Sequence, residues 1–268
     1  MVIIKRKFKR SIRKRGCPKI YMAGGSFYSP KNNKSKPLGQ DAHFISKEAD
    51  AIGVADGVGR WGENGIDAGE FSRELMRNAL ESIKNHPGGD VVLDPKRVLY
   101  EAFSNTKAKG SSTACIITLS GRHIRAANLG DSGFMVMRRG KIVYTSPVQQ
   151  HKFNHPYQLG KYEGGDVLEK AEEIMVPVEC YDIIVAGTDG LFDNMFPEDI
   201  EAVVKQCSGD EYDQSRVAFN LAMAARRNSL NKTRCSPFDI NARQAGVLHF
   251  GGKYDDITVV VAHILSSR

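Results

Sequence analysis

Residues 51–65 read AIGVADGVGRWGENG. The run AIGVA has the character of a buried strand, and it ends on a carboxylate, Asp56, with Gly57 directly behind it. A bare charge at the mouth of a buried strand is costly to desolvate unless a proton, a hydrogen-bond donor or a cation compensates it. The same device recurs far along the chain. In YDIIVAGTDGLFDN (181–194) an apolar run delivers Asp189-Gly190, with Asp193 four residues on. KYDDITVVVAHI (253–264) inverts the order and puts Asp255 and Asp256 just before a strand. Asp41 in GQDAHF precedes a strand, and Asp131 in AANLGDSGFMVM lies between two.

A single Asp-Gly is most often a turn. Strand-end acids that recur in this way call for more, because antiparallel sheets bring such ends together and carboxylates brought together repel unless protonated or neutralised. Oxygen ligands without a Cys or His cluster suit hard divalent ions such as Mg²⁺ or Mn²⁺, not zinc. Two such ions about 3.5 to 4 Å apart activate a water and clamp the oxygens of a phosphate in an in-line displacement. The pattern therefore predicts a metal centre suited to phosphate-ester hydrolysis, with neither a G-x-S-x-G elbow nor a reactive Cys setting in the chain.

The strand runs expected around these acids are 42–45, 51–55, 113–119, 123–128, 134–138, 141–144, 182–186 and 257–264. Ser120-Gly121 and Arg139-Gly140 sit between apolar runs as hairpin turns do, which makes those neighbours antiparallel. Helices are expected over 68–85, from the Asp94-Pro95 cap through 107, over 197–206 and over 214–228. Strands without regular strand–helix alternation argue for an α+β sandwich and against a doubly wound sheet.

The 268 residues are 41% hydrophobic and 26% charged, ordinary for one soluble domain, and no apolar run is long enough to span a membrane. The net charge of +7 is concentrated at one end. Residues 1–40 hold 12 Lys and Arg and no acid, leaving 26 basic against 31 acidic residues in the body, so the charge offers no general affinity for nucleic acid. Residues 1–21 read as a basic arm and 22–268 as one domain. The arm, with Ile3, Ile4, Phe8 and Ile12 spaced along one helix face, fits either a mitochondrial matrix presequence or a solvated basic arm on a cytoplasmic protein. Five scattered cysteines with no C-x-x-C pair suit a reducing compartment, and Cys115 reads as a small buried hydrophobe.

The segments DAHF (41–44), VADGVGRW (54–61), GSSTACIITL (110–119), ANLGDSGF (127–134), TDGLFDN (188–194) and DDITVVV (255–261) occur in an order and spacing that resemble the metal-dependent protein phosphatases, the protein phosphatase 2C family. FGGKYDDIT, SPVQQHKFNHPYQL and CSPF further resemble its short branch often found in mitochondria. The resemblance implies a four-layer αββα sandwich, two antiparallel sheets flanked by helices, acting as a monomer on phosphoserine and phosphothreonine of phosphoprotein substrates with two core Mn²⁺ or Mg²⁺ ions. By the same resemblance Asp56 bridges the two ions, the Gly57 carbonyl faces one, Asp189 and Asp255 complete the other, and Asp41 acts through water. Asp131 and Asp193 match acids that, with Asp189, hold a weaker third ion, while Asp256 stands where many relatives have Asn and takes a supporting role.

The departures matter as much. Relatives often follow the first Asp-Gly with a His that protonates the leaving alkoxide; here the residue is Val58, and the substitutes are a metal-bound water or His151 or His155. A phosphate-gripping Arg is replaced near its place by Lys36, and Arg60 stands where this branch carries glycine; both are candidate phosphate contacts. These losses keep a second reading open, a metal-binding scaffold or pseudophosphatase. Trp61 reads as a packing plug, residues 111–113 as a strand start, and Arg226-Arg227 as the solvated face of a helix.

Overall fold

The computed structural model describes residues 19–31, 38–86, 92–161, 165–166, 168–207 and 213–267. Most of the basic arm, and Lys36 with it, lies outside them. The chain runs through β1 (Ile20–Ser29), β2 (Asp41–Ser46), β3 (Ala51–Asp56), α1 (Ala68–Lys84) and α2 (Pro95–Asn105). Then follow β4 (Ser111–Ser112), β5 (Ala114–Ser120), β6 (His123–Leu129), β7 (Gly133–Arg138), β8 (Lys141–Thr145), β9 (Gln150–Lys152), β10 (His155–Pro156), β11 (Leu159–Gly160) and β12 (Glu172–Pro177). The last part holds β13 (Ile183–Gly187), α3 (Asp189–Phe192), α4 (Pro197–Gln206), α5 (Gln214–Leu230), α6 (Pro237–Gln244) and β14 (Ile257–Ser266). Because β1 begins at Ile20, the last two residues assigned to the arm already belong to the folded domain.

Two five-stranded sheets carry the architecture, one ordered β1-β14-β13-β7-β8 and the other β12-β6-β5-β3-β2, and every pairing within them is antiparallel. Strands in an antiparallel sheet alternate faces, so β3 sends Ile52 and Val54 to one side and Ala51 and Ala55 to the other. The first pair meets Phe134, Val136, Ile184, Val260 and Ala262 of the opposite sheet, which makes the central core between the sheets. The second pair meets Phe71, Leu75 and Leu99 of α1 and α2, and the far face of the other sheet is covered by α4 and α5 through Ile200, Val217 and Leu221. The order of layers is helix, sheet, sheet, helix, as expected.

Local chemistry sets the boundaries. Asp67 caps α1 by accepting from Gly69 N at 3.0 Å, and Asp94 caps α2 through Lys96 N at 3.1 Å with Pro95 in the first turn. Ser236 does the same for α6 through Asp239 N at 3.1 Å. The eight expected strands and four expected helices are all present within two residues of the predicted ends. Cys115 is fully buried in the inter-sheet core. Among the described residues no helix is long and apolar enough to cross a membrane.

Candidate active site

The strand ends of both sheets open on one edge of the sandwich, into a cleft of about 500 Å³ whose lining includes Asp56, Gly57, Asp189 and Asp255. Asp56 ends β3 directly opposite Asp41 at the start of β2. Its backbone is pinned on both sides by Thr113: Asp56 N donates to Thr113 Oγ1 at 3.0 Å, and Thr113 N donates to Asp56 O at 2.9 Å. Gly57 N donates to Gln40 O at 3.0 Å, and a Cβ at Gly57 would lie 2.6 Å from Ala68 O, so only glycine lets β3 turn here against α1. Residues 111–113 thus hold the strand start read from sequence, and Thr113 adds a brace that the sequence did not announce. Trp61 is half-buried beside them, its indole N–H donating to Ser111 Oγ at 2.6 Å.

Asp41 joins the two sheets. Its Oδ2 accepts from Thr188 Oγ1 at 2.7 Å and Thr258 Oγ1 at 2.8 Å, both from the opposite sheet's end of the cleft. Asp189 opens α3 immediately beyond β13, and Gly190 is pressed so close to the 255–256 turn that a Cβ would fall 1.9 Å from Asp256 O. Asp256 holds the other side of that turn. Its carboxylate accepts from Lys31 N at 2.5 Å, Gln40 N at 3.0 Å and Tyr28 OH at 3.3 Å, which ties both ends of the 31–40 segment to β14. Asp131 accepts from Gln150 Nε2 at 3.0 Å.

Two cations enter this acid group that sequence reading did not assign to it. Lys253 Nζ reaches Asp189 Oδ2, Asp193 Oδ2 at 2.9 Å and Asp255 Oδ2 at 3.3 Å, and Lys31 Nζ reaches Asp255 Oδ1 at 3.2 Å. A third basic residue corrects an expectation. Arg226, read as part of a solvated helix face, donates to Ser29 O at 2.7 Å, Pro30 O at 3.1 Å and Asp255 O at 2.8 Å and stacks on Tyr254 with 4.9 Å to the ring centroid. It holds the end of β1 to the Asp255 turn. A planar guanidinium with several donors suits three carbonyls where an ammonium does not.

Crowding of carboxylates leaves an electrostatic mark. Desolvation, followed by repulsion from Asp41, Asp189 and Asp255, pushes the Asp56 carboxyl well above the usual carboxylate range. Burial and the charge of Asp256 do the same to Asp41. Asp131 is pushed up to about 8 by burial and by Asp189, and Asp193 to about 7 mainly by burial. Burial alone would also lift Asp255, but the ammoniums of Lys253 and Lys31 outweigh it and hold that carboxyl low.

Among the described residues no three His, Cys, Asp or Glu side chains are drawn up as a closed metal-ligand set; the outer acids turn to Lys253 instead. The donor chemistry nevertheless fits divalent ions. Oδ1 of Asp41, Asp131 and Asp189 are all buried acceptors with no hydrogen-bond partner, which is costly for a carboxylate and is relieved by an oxygen-seeking cation.

Of the two candidate histidines only His155 lines the cleft. Its Nδ1 contacts Phe153 O at 3.3 Å and its Nε2 meets Arg60 Nη2, also at 3.3 Å, so Arg60 and His155 form one pair at the rim. His151 instead contacts Asp166 at 3.0 Å and stacks on Tyr157 at 4.4 Å, which orders its loop. Val58 lines the cleft where a proton donor was expected.

An acid-lined cleft at the shared edge of two stacked antiparallel sheets defines the class of protein, a four-layer sandwich with its site built from strand ends. Protein phosphatase 2C is the family whose description matches residues 29–157. Putative protein phosphatase 2C 24 of Oryza sativa subsp. japonica is 38% identical over 84% of this chain and 73% of its own length. Probable protein phosphatase 2C 55 of Arabidopsis thaliana is 47% identical over 93% of this chain. Among solved structures, the photosystem II phosphatase PBCP matches with a TM-score of 0.83 at 32% identity, covering 90% of this chain and 98% of that one. The chain belongs to the protein phosphatase 2C family. It spans 53% and 60% of the length of the two Arabidopsis relatives, Probable protein phosphatase 2C 55 and 80.

Proposed function

We propose that the chain is a metal-dependent serine/threonine protein phosphatase that hydrolyses phosphoserine and phosphothreonine with two Mn²⁺ or Mg²⁺ ions. The observation that carries this reading is the convergence of Asp56 and Asp189, one from each sheet, on one cleft with Asp255 beside them and buried, unpaired carboxylate oxygens around them. In this reading Asp56, Asp189, Asp255 and the Gly57 carbonyl hold the core ions, with Asp131 and Asp193 further out. Divalent ions so held would supply charge neutralisation for the phosphoryl oxygens and an activated water.

The chain's own residues do the rest. Asp41, fixed by two threonine hydroxyls, orients water at the floor without itself moving. Lys31 and Arg60 bring positive charge to the cleft, where a phosphate dianion would enter; Arg60 offers the planar fork that suits phosphate oxygens. His155 stands at the rim, where it would serve the departing alkoxide in place of Val58 once its Nε2, which accepts from Arg60, is released to carry a proton. The proposed setting is the mitochondrial matrix, with the basic arm as its import signal, and the proposed working form is a monomer; import of a tagged chain with and without residues 1–20, and light scattering, check the two.

The test of the function is hydrolysis of a phosphothreonine peptide with Mn²⁺, with chelator, and in Asp56→Asn and Asp189→Asn. Each substitution is expected to lower turnover about 10²- to 10³-fold, by analogy with the loss of one strong transition-state contact. Metal-independent turnover would overturn the reading. A folded, metal-binding wild type that hydrolyses neither a phosphopeptide nor an aryl phosphate would establish the pseudophosphatase instead.

A further inference from the structure

Between α6 and β14 the chain presents an apolar ledge to solvent. Ile240 and Val247 are exposed, and Leu248 and Phe250 are exposed to 83% and 60%. Exposed apolar side chains scattered singly are ordinary, but several gathered on one short stretch mark a surface that meets something. The stretch is held in place from both ends. Val247 N donates to Ala242 O at 2.8 Å, Ser236 Oγ to Gly251 O at 2.7 Å and Gly252 N to Asn231 O at 2.9 Å. Its charges face each other: from Pro237 to Phe250 the formal charges are Asp239 and Arg243, and they pair at 2.6 Å. An occupant arriving from solution therefore meets carbon more than charge.

The ledge is continuous with the wall of the cleft. His249, half-buried between Leu248 and Phe250, meets Phe238 edge-on with 4.7 Å between ring centroids, and Phe238 stacks on Phe153 at 4.9 Å. Phe153 directly precedes Asn154 and His155, which line the cleft. A protein substrate differs from a small ester here. With its phosphorylated side chain in the cleft, its main chain must leave across the rim, and on this side the rim is a rigid row of rings ending in Leu248 and Phe250.

We propose that the ledge seats the substrate chain and takes an apolar side chain roughly three or four residues from the phosphorylated serine or threonine, since an extended chain advances about 3.3 Å per residue and the row from Phe153 to His249 is two ring steps long. The proposal rests on the reading of the cleft as a phosphatase site and narrows its substrates to phosphoproteins with such a residue. A preformed ledge loses little freedom on binding, so a single leucine gains most of what its burial offers.

The test uses the full chain in Mn²⁺ and phosphothreonine peptides that carry leucine at the third and fourth positions on the N-terminal side, on the C-terminal side, or serine throughout. At least one leucine peptide is expected to exceed the serine peptide about tenfold in kcat/KM, the scale of a modest apolar contact. In Leu248→Ser/Phe250→Ser that advantage is expected to vanish, while the serine peptide and nitrophenyl phosphate react as with wild type. Neither leucine peptide favoured by wild type, or an advantage that survives the double substitution, overturns the proposal. A peptide with benzophenone in place of the favoured leucine is expected to crosslink wild type within residues 247–250; crosslinking elsewhere overturns it without recourse to any variant. A dimer in light scattering that the double substitution dissolves, with no peptide preference, gives the ledge to a second copy and overturns it too. A wild type that hydrolyses every ester without preference defeats this proposal alone; one that hydrolyses none defeats the proposed function with it.

Discussion

Asp56-Gly57 and Asp189-Gly190 are the same device at the two corners of the cleft, an apolar strand delivering a carboxylate with a glycine behind it, yet their surroundings differ. At the first corner the compensating groups are neutral. Thr113 pins the backbone, Thr188 and Thr258 donate to one oxygen of the neighbouring Asp41, and among the described residues no ammonium pairs with Asp56. At the second corner compensation is ionic, from Lys253 on Asp189 and from Lys253 and Lys31 on Asp255. The difference separates two tasks. The first corner keeps its carboxylates exposed to one another and so hungry for cations, while the second is partly neutralised in advance.

The glycines break this comparison most severely. Gly190→Ala places a Cβ 1.9 Å from the backbone oxygen of Asp256, which cannot move without shifting β14. Overpacking of this kind costs roughly 3 kcal/mol. Gly57→Ala meets Ala68 O at 2.6 Å and Gln40 O at 2.7 Å, a smaller intrusion, and about 2 kcal/mol is expected. Urea unfolding of both variants in chelator checks the order. Equal loss at the two corners would show that their packing is less distinct than these contacts indicate.

Arg226 ranks next. Removing its guanidinium frees three carbonyls around the Asp255 turn, and hydrogen bonds from charged donors contribute about 1.5 to 3 kcal/mol. Arg226→Ala is expected to destabilise by about 2 kcal/mol and to weaken Mn²⁺ binding roughly tenfold through misplacement of Asp255 alone, with Arg226→Lys recovering only part. Titration calorimetry separates the two effects. Unchanged metal affinity would confine Arg226 to holding β1.

Much of this was legible in the sequence, and the failures have physical causes. Strands with apolar cores, from β2 to β14, announce themselves because burial on one or both faces demands it, and the strand-end acids stand out against them. β1 does not, because IYMAGGSFYS carries Gly24 and Gly25 for another reason: α5 lies so close that the Ser215 amide leaves no room for a side chain at Gly25. β12 is hidden because EEIMVP buries only Ile174 and Val176. Lys253 in GGKYDD and Arg226 in AARRNS look like ordinary solvated charges. Their partners are contributed by segments remote in sequence, Asp189 and Asp193 for one and Ser29 and Pro30 for the other, and no local spacing encodes that.

The histidines offer a smaller effect. His155→Ala is expected to slow hydrolysis of an alkyl phosphate about tenfold, less than the roughly 10²- to 10⁴-fold of a fully engaged proton donor because Arg60 shares its Nε2, and of a nitrophenyl phosphate little, because that leaving group needs no proton. His151→Ala, which removes one contact to Asp166 and leaves those from Lys170 and Gln158 N, is expected to leave both rates alone. Equal losses on the two substrates would assign His155 to positioning of Arg60.

The mildest effect, a few degrees in Tm, tests the neutral corner directly. In metal-free protein the carboxyls of Asp56 and Asp41 are raised well above the usual range and that of Asp131 to about 8, whereas an unfolded aspartate titrates near about 3.9. A raised folded-state pKa means the native state holds protons that the unfolded chain has released. Its contribution to stability is complete below the unfolded pKa and is lost as pH climbs through the folded one. The Tm measured in chelator should therefore fall between pH 5 and pH 8. Saturating Mn²⁺ should reverse that trend, since carboxylates bind it only after losing their protons. Asp56→Asn removes one of the titrating groups and relieves Asp41, so its Tm in chelator should fall less steeply over the same window. Lys253→Met should make the fall steeper by stripping the second corner of its cation. If chelated wild type keeps a flat Tm from pH 5 to 8, the first corner is not the unneutralised one, and the contrast between the two Asp-Gly corners fails with it.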